Sequence, residues 1–229
     1  MKKPIFHIKN LSYVKNNNTI LNIKNFEIHR GACYMISGNM ASGKTLFIET
    51  LSKNIKNYKG DIIYDGKSLS SYSYRKYYND IAIVKQVAKR PFFKDVKGYI
   101  QGEISKRHND TTANKKFENI VTNMDLKYLL NKKVRDLTPS QFRWVNLASK
   151  IASYPKVLFI DELELHLNKR NIDSLSKILY RKCNYDGVTI IASTMHPEFF
   201  NNLISVSINL KQGRITKLRS FSNKFKKRK

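Results

Sequence analysis

An apolar stretch, Cys33–Ser37, runs directly into a glycine-bearing octapeptide, and this junction constrains the fold more than any other part of the chain. The octapeptide matches G-x-x-x-x-G-K-[ST] at every defined position. Its residues are Gly38, Asn39, Met40, Ala41, Ser42, Gly43, Lys44 and Thr45. Helical spacing follows over residues 46–55. The pattern therefore predicts a buried strand, a tight loop and a helix in direct succession.

The residue types in this loop are suited to phosphate. Glycines let the backbone wrap closely around phosphate oxygens, and successive N–H groups at a helix N-terminus point toward an anion. Lys44 is predicted to reach the β- and γ-phosphates, and the Thr45 hydroxyl is predicted to ligate Mg²⁺. The motif predicts nucleotide binding but does not choose among kinases, GTPases and ATPases.

A second signal is an acidic pair at the end of another apolar run. Val157–Ile160 reads as a buried strand and is followed by Asp161 and Glu162. In parallel sheets, ligands bind outside the carboxyl ends of the strands. Asp161 is therefore predicted to hold Mg²⁺ through its water shell, and Glu162 to polarise an attacking water.

The remaining pattern predicts an α/β protein with the P-loop NTPase fold. Apolar alternation near the N-terminus predicts an antiparallel hairpin from 5–11 and 20–28, and strands and helices then alternate, which predicts a mostly parallel central sheet. The further elements are strands at 61–64, 81–84 and 188–193, helices within 94–150 forming an insertion, a helix at about 169–182, and a hairpin around Gln212-Gly213. We expect one domain over 1–216 and a disordered basic tail over 217–229.

The composition is that of a soluble and strongly basic protein. The 229 residues include 43 Lys and Arg against 17 Asp and Glu, a formal charge of +26. This charge fits nucleic acid, an anionic membrane surface or a compositional bias toward Lys, Asn, Ile and Tyr. The cluster 224–229 suits a lipid headgroup surface or an RNA equally. No apolar run of about 18 residues or signal peptide is found, and the two cysteines suggest no disulfide framework.

The order of these motifs resembles that of the nucleotide-binding subunits of ABC (ATP-binding cassette) systems, over nearly the whole chain. Three weaker motifs add to the resemblance. They are Gln86 in the place of the Q-loop glutamine, Leu137-Thr138-Pro139-Ser140-Gln141 in the place of the signature, and His196 in the place of the switch histidine. The resemblance implies that Gln86 senses Mg²⁺ and that His196 contacts the γ-phosphate, both with catalytic roles beside Glu162.

The family works as a dimer, with ATP between the phosphate loop of one subunit and the signature of the other. By resemblance, Thr138, Ser140 and Gln141 would contact the partner's nucleotide. Pro139 and Ser140 replace both signature glycines, and Asn168 stands where the family's D-loop has Asp. Proline offers no N–H to a phosphate. We therefore expect slow hydrolysis, or a site completed by a different subunit.

The resemblance also implies an aromatic side chain stacked on adenine. Tyr13 offers a flat apolar face of the right kind. Direct counting from the later motifs puts Lys15 in that position, so the assignment of Tyr13 needs a shift of two residues.

The resulting expectation is an ATPase subunit that binds Mg-ATP, pairs with a second ABC ATPase subunit and docks under a separate membrane-spanning, permease-type protein. It would lie on the cytoplasmic face of a membrane, or on the matrix face in an organelle, with a possible lipid contact through the basic tail. Small members, such as the haem-export ATPase of cytochrome c biogenesis and the cell-division ATPase, are similar in size. The alternatives are a regulatory or structural ATPase with weak hydrolysis, and a soluble nucleic-acid-associated ATPase. Nucleic acid is disfavoured because the chain has neither long coiled coils nor a second cassette.

Overall fold

The structure, a computed structural model, describes residues 3–221, whose strands form two sheets. The smaller sheet is antiparallel and takes its strands from the N-terminal third of the chain, and it includes the hairpin that the alternation of apolar residues predicts. Its strands are β1 (Phe6–Lys15), β2 (Asn18–Ile28), β4 (Lys59–Tyr64) and β5 (Lys67–Ser68), in the order β2-β1-β4-β5.

The larger sheet is parallel except for one edge strand. Its strands are β3 (Cys33–Ser37), β6 (Ile81–Val84), β7 (Val157–Ile160), β8 (Thr189–Ser193), β9 (Val206–Lys211) and β10 (Arg214–Ser220). They lie in the order β10-β9-β3-β8-β7-β6, and only β10 runs antiparallel to its neighbour. The predicted α/β fold with a mostly parallel sheet is confirmed.

The helices connect these strands. They are α1 (Lys44–Leu51), α2 (Tyr74–Asp80), α3 (Val96–Ile104), α4 (Asp110–Asn123), α5 (Pro139–Ala152) and α6 (Lys169–Asn184). Short 3-10 helices span Leu69–Ser71, Lys127–Leu129, Val134–Asp136 and Pro197–Phe200. Helices α3, α4 and α5 pack on one another and form the helical insertion between β6 and β7.

Strands β3, β8, β7 and β6 of the larger sheet are buried on both faces, because alternate residues of each of these strands enter two different apolar clusters. Cys33 and Met35 of β3 pack with the helical insertion and α6. Tyr34 and Ile36 pack instead with α1 and the smaller sheet. Cys33 also meets Cys183 of α6, and this contact, with burial, raises the pKa of the Cys33 thiol well above its ordinary value.

The structure differs from the sequence-based predictions in two boundaries and one additional helix. Helix α1 ends at Leu51 rather than near 55, because Lys53 adopts a left-handed backbone conformation that stops a helix. Helix α2 has no counterpart in the predictions, since Tyr77 alone is buried and the segment lacks an apolar stripe. The tail boundary at 217 was wrong, because β10 pairs with β9 as far as Ser220. Residues 222–229, with the basic cluster, lie outside the described part of the chain.

Candidate functional site

Four parallel strands end at one edge of the larger sheet, and the segments that follow them carry the predicted core of the site. Strands β3, β8, β7 and β6 are successive neighbours, so their carboxyl ends meet there. The segments are Gly38–Thr45 after β3, Gln86 after β6, Asp161 and Glu162 after β7, and His196 after β8. Backbone bonds join them: Thr194 N donates to Ile36 O at 3.0 Å, and Asp161 N donates to Val84 O at 2.9 Å.

The loop after β3 requires glycine at its two ends. Gly38 has φ +149°, and a Cβ there would lie 2.2 Å from the carbonyl oxygen of Leu210 in β9. Gly43 has φ +100° and directly precedes α1. A side chain at either position would strain the backbone, and at Gly38 it would also collide with β9. The backbone conformation therefore favours glycine at both ends of the loop, and the close approach to β9 adds a steric requirement at Gly38.

Hydrogen bonds from the neighbouring β9–β10 turn and from Lys44 hold the glycine loop in place. Gly213 N, in the β9–β10 turn, donates to Ser42 O at 3.0 Å. Lys44 is buried, and its Nζ donates to the carbonyl oxygens of Gly38 at 2.7 Å and Asn39 at 3.0 Å. The Ser42 hydroxyl is buried and has no hydrogen-bond partner within residues 3–221. An unsatisfied donor and an ammonium in one glycine loop fit a phosphate ligand.

The acidic strand end is fixed by a serine on the neighbouring strand. Asp161 is 4% exposed, and its Oδ1 accepts a hydrogen bond from the Ser193 hydroxyl at 2.5 Å. The same hydroxyl accepts from Glu162 N at 2.8 Å. Glu162 has φ +49° and stays partly exposed, so the chain turns sharply and directs Glu162 away from the core. The two adjacent carboxylates thus differ in burial, as their two predicted roles require.

Glu162 lies in an environment that disfavours its charge. Burial and the neighbouring carboxylates of Asp161 and Glu164 raise the pKa of Glu162, and the cations of Lys44 and Arg143 act in the opposite direction. A raised pKa brings a carboxylate closer to the range useful for a general base at neutral pH.

Glu164 was not singled out from the sequence. Its Oε1 accepts a hydrogen bond from Met195 N at 2.6 Å, and its Oε2 is buried with no partner in the described residues. Met195 lies in the loop that carries His196. Glu164 therefore ties the segment after β7 to the segment after β8. Its position two residues beyond Glu162 was the available sequence signal.

His196 lies at the same edge but is turned toward its own loop. Its Nδ1 is 3.1 Å from Glu198 Oε1, and its ring stacks on Phe199 with the ring centroids 5.2 Å apart. Its backbone N donates to the Thr194 hydroxyl at 3.0 Å. The side chain is more than half exposed, so it is free to reorient toward a ligand.

Gln86 is partly exposed and directly follows Lys85, whose carbonyl oxygen accepts a hydrogen bond from Arg143. Arg143, in α5, is buried and donates from Nη1 to Lys85 O at 2.8 Å. Its Nη2 donates to the carbonyl oxygens of Asp161 at 2.8 Å and Glu162 at 2.6 Å. Burial lowers the pKa of Arg143 to about 10, although Asp161 and the nearby carboxylates favour its charged form.

No role for Arg143 is predicted from the sequence. Its partners are backbone carbonyls far away in the chain, so no spacing pattern reveals them. The one available signal was a charged residue between Phe142 and Trp144, within an otherwise apolar run.

The remaining predicted site residues lie on other elements. The Thr138 hydroxyl accepts from Gln141 N at 3.2 Å, and Gln141 Oε1 accepts from Thr138 N at 3.1 Å, which forms a capping box at the start of α5. Ser140 is exposed in the same turn. Tyr13 is half-buried on β1 opposite Leu21, whose Cδ1 would lie 3.6 Å from a Cβ added at Gly43. The β1–β2 hairpin therefore contacts the glycine loop. The predicted nucleotide contacts of Tyr13, Thr138, Ser140 and Gln141 stay predictions.

A glycine loop opening a helix, beside an acidic strand end on a parallel sheet, defines a P-loop nucleotide-binding protein. The family model described as ABC transporter matches residues 21–164. The chain therefore belongs to the ABC transporter family, as its ATP-binding ATPase cassette.

Relatives carry the same assignment at low identity. The energy-coupling factor transporter ATP-binding protein EcfA of Malacoplasma penetrans is 25% identical over 198 residues, which are 84% of this chain and 68% of that protein. An ABC transporter ATP-binding protein of Clostridium tetani is 23% identical over 204 residues, which are 86% of this chain and 45% of that protein. The chain thus spans less than half the length of some curated relatives that it matches.

Two solved structures share the fold. The first, cbiO1 from Clostridium perfringens, part of the ABC transporter complex cbiONQ, has a TM-score of 0.79 and 22% identity, over 96% of this chain and 89% of that chain. The second, a dimeric ATP-binding cassette, MJ0796, in a post-hydrolysis state with ADP and phosphate, has a TM-score of 0.82 and 19% identity, over 95% of this chain and 99% of that chain. At these identities the likeness establishes the fold.

Proposed function

We propose that the chain is the ATP-hydrolysing subunit of an ABC transporter complex, pairing with a second ATPase subunit around ATP and driving a separate membrane-spanning partner. The observation that carries this proposal is the meeting of the glycine loop, Asp161–Glu162 and the His196 loop at one sheet edge. The relatives named for transporters and the cassette structure solved as a dimer support it.

The glycine loop binds the phosphates. Its N–H groups, the Ser42 hydroxyl and the Lys44 ammonium supply donors to phosphate oxygens. The Thr45 hydroxyl, the Asp161 carboxylate and the Gln86 amide are hard oxygen ligands of the type that Mg²⁺ prefers. These three residues would hold Mg²⁺, which would supply positive charge to the phosphate oxygens.

Glu162 orients the attacking water and accepts its proton. Its backbone is fixed by the Ser193 hydroxyl, and Arg143 holds its carbonyl. Because its pKa is raised, the carboxylate should lose activity at a higher pH than an ordinary glutamate as the solution is acidified. His196 would turn from Glu198 to reach the γ-phosphate.

The partner subunit determines how fast this site turns over. Pro139 and Ser140 begin α5 where two glycines would allow close backbone approach to the partner's nucleotide. We therefore propose slow hydrolysis in a homodimer, and faster hydrolysis when a subunit with both signature glycines completes the site.

The membrane partner is a separate chain in this proposal, and the ATPase lies on the cytoplasmic or matrix face. Residues 3–221 include no helix long and apolar enough to cross a bilayer. The solved cbiO1 is part of a larger transporter complex, which supports an arrangement of this kind.

The test is capture from native membranes. Tagged Glu162→Gln protein is treated with an amine-to-amine cross-linker in ATP or in ADP, and the bound chains are identified by mass spectrometry. A multi-span membrane protein and an ATPase subunit, retained more strongly with ATP, are expected. Lys44→Ala is the matched control, since it should lose the ATP dependence. RNA recovered instead, and released by salt, would overturn the proposal in favour of a nucleic-acid ATPase.

A further inference from the structure

A pocket of about 410 Å³ lies between α4, the segment that joins α5 to β7, and the C-terminal half of α6. Tyr154 lies shortly before β7 and Asp186 shortly before β8, so the pocket is at the amino ends of these strands. The candidate site described above lies at the carboxyl ends of the same strands. The pocket is therefore on the opposite edge of the larger sheet and shares no residue with that site.

Positive charge dominates this pocket. Its cationic side chains are Lys116, Lys177, Arg181 and Lys182, and the one carboxylate among its described lining residues is that of Asp186. Lys182 Nζ already lies 2.8 Å from that carboxylate. The other three cations form no ion pair with any carboxylate of residues 3–221. A concave surface with three cations that lack a counter-charge favours an anionic ligand.

The ring of Tyr154 brings two of the ammonium groups close together. Lys116 Nζ lies 3.0 Å and Lys182 Nζ 3.2 Å from the ring centroid. Each cation is attracted to the ring, but the two cations repel each other. Burial and the charge of Lys182 lower the pKa of Lys116, whereas the charge of Asp186 acts in the opposite direction. An anion bound beside both ammonium groups would offset this repulsion.

Tyr185 and two asparagines favour a base-bearing anion over a simple ion. Tyr185 is 78% exposed at this pocket, so its ring can stack on a planar base. Asn123 Nδ2 donates to Asn119 Oδ1, one turn earlier in α4. Among the described residues, this bond leaves the Asn119 amide nitrogen as a free donor and the Asn123 amide oxygen as a free acceptor. Side-chain amides of this kind pair with the edges of nucleobases.

We propose that this pocket binds a nucleoside phosphate, with its phosphate oxygens on Lys116, Lys177 and Arg181 and its base on Tyr185. The volume of about 410 Å³ is that of a small-ligand site. A polymer such as RNA is instead bound along an extended groove. The inference does not depend on a membrane partner, because none of these residues takes part in the proposed ATP hydrolysis.

The test measures ADP binding by isothermal titration calorimetry, without Mg²⁺, to full-length Lys44→Ala protein, in which the glycine loop is weakened. ADP binding should persist in this protein. Adding Lys116→Gln/Arg181→Gln should weaken it at least about tenfold, because two cations without another partner are removed while the side chains stay similar in length. Adding Lys24→Gln/Lys67→Gln, with the same charge change at exposed positions of the smaller sheet, should leave it unchanged.

Inorganic pyrophosphate separates the phosphate contacts from the base contact. Tyr185→Ala should weaken ADP binding by about fivefold or more and leave pyrophosphate binding unchanged. Equal affinities for ADP and pyrophosphate, with no effect of Tyr185→Ala, would overturn the proposal, since the pocket would then hold phosphate alone. ADP binding that Lys116→Gln/Arg181→Gln leaves unchanged would also overturn it, as would binding of an RNA oligonucleotide or an acidic peptide in preference to ADP.

Discussion

Glu162 and its two acidic neighbours illustrate how a site residue can oppose stability. Asp161, Glu162 and Glu164 lie within four consecutive residues. The charges of Asp161 and Glu164 add to the effect of burial in raising the pKa of Glu162. A carboxyl group whose folded pKa exceeds its unfolded pKa binds protons more tightly when folded. The free energy of unfolding should therefore fall as pH rises from the unfolded pKa to the folded one.

We predict that Glu162→Gln stabilises the protein at neutral pH while abolishing hydrolysis. Removing the unfavourable charge should raise Tm by about 1–2 °C in the absence of nucleotide. Thermal unfolding at pH 7.5 measures the change. Glu118→Gln, at an exposed position on α4, should leave Tm unchanged. A lower Tm for Glu162→Gln would mean that its attraction to Lys44 and Arg143 outweighs the repulsion.

Arg143 holds the segment that carries the proposed base, Glu162, without touching the predicted reacting atoms. Its two Nη atoms serve the carbonyls of Lys85, Asp161 and Glu162. We predict that Arg143→Ala lowers the free energy of unfolding by about 3 kcal/mol, since three carbonyls lose their donor in a buried site. Chemical denaturation measures the loss.

Arg143→Lys separates positioning from stability. A lysine keeps the charge but lacks the planar fork, so it cannot reach all three carbonyls. We expect kcat for ATP to fall by about ten- to a hundredfold while the ATP affinity stays within about threefold. The pH profile should keep its acid limb, since the proposed base, Glu162, is unchanged. Equal losses in kcat and in ATP affinity would argue for a general structural role.

Site residues could be predicted from the sequence when they lie together in one unbroken motif. Gly38–Thr45 and Asp161–Glu162 are unbroken motifs whose chemistry is local, so the sequence alone is enough to predict them as site residues. Arg143 and Glu164 act through backbone atoms brought near by strand order and helix packing. Such partners leave no pattern in the chain.

At the scale of elements, the start of α5 is well formed as a helix and departs from the family signature. The side chain of Thr138 accepts a hydrogen bond from the backbone N–H of Gln141, and the side chain of Gln141 accepts one from the backbone N–H of Thr138. Pro139 occupies the first helical position. We predict that Pro139→Gly/Ser140→Gly raises ATPase turnover by about tenfold, because two small residues let the partner's phosphate approach the backbone. The same variant should lose about 1–2 kcal/mol of stability, since glycine is less favourable in a helix. ATPase assay and denaturation measure the two effects.

The control places the same change at another helix start. Asp110→Gly/Thr111→Gly occupies the first turn of α4, and it should reduce stability without raising turnover. Unchanged turnover in Pro139→Gly/Ser140→Gly would show that the lost glycines are not what limits hydrolysis.

Elements with a clear period were predicted well, and those without one were not. Strand β7, Val157–Ile160, has the predicted bounds because an unbroken apolar run has one interpretation when turns flank it. Helix α2 was missed because Tyr77 is its only buried residue. The strand β10 residues beyond Ile215 are all exposed and include Lys217 and Arg219, so no apolar alternation in the sequence indicated their pairing with β9.

The whole molecule must tolerate its formal charge of +26. Each acidic residue can pair with only a few of the 43 basic ones, and Glu103 already serves three. Most of the remaining positive charge lies on the surface, where it repels itself through solvent.

We predict that added salt stabilises the protein, because it screens this repulsion. The Debye length falls from about 10 Å at 0.1 M to about 3 Å at 1 M, so Tm should rise by about 3–6 °C between 0.05 and 0.5 M NaCl. Lys24→Glu/Lys115→Glu lowers the net charge by four, and it should show a higher Tm at low salt and a smaller rise. Differential scanning calorimetry measures both. A Tm that falls with salt would mean that ion pairs such as Lys150–Glu103 outweigh the surface repulsion.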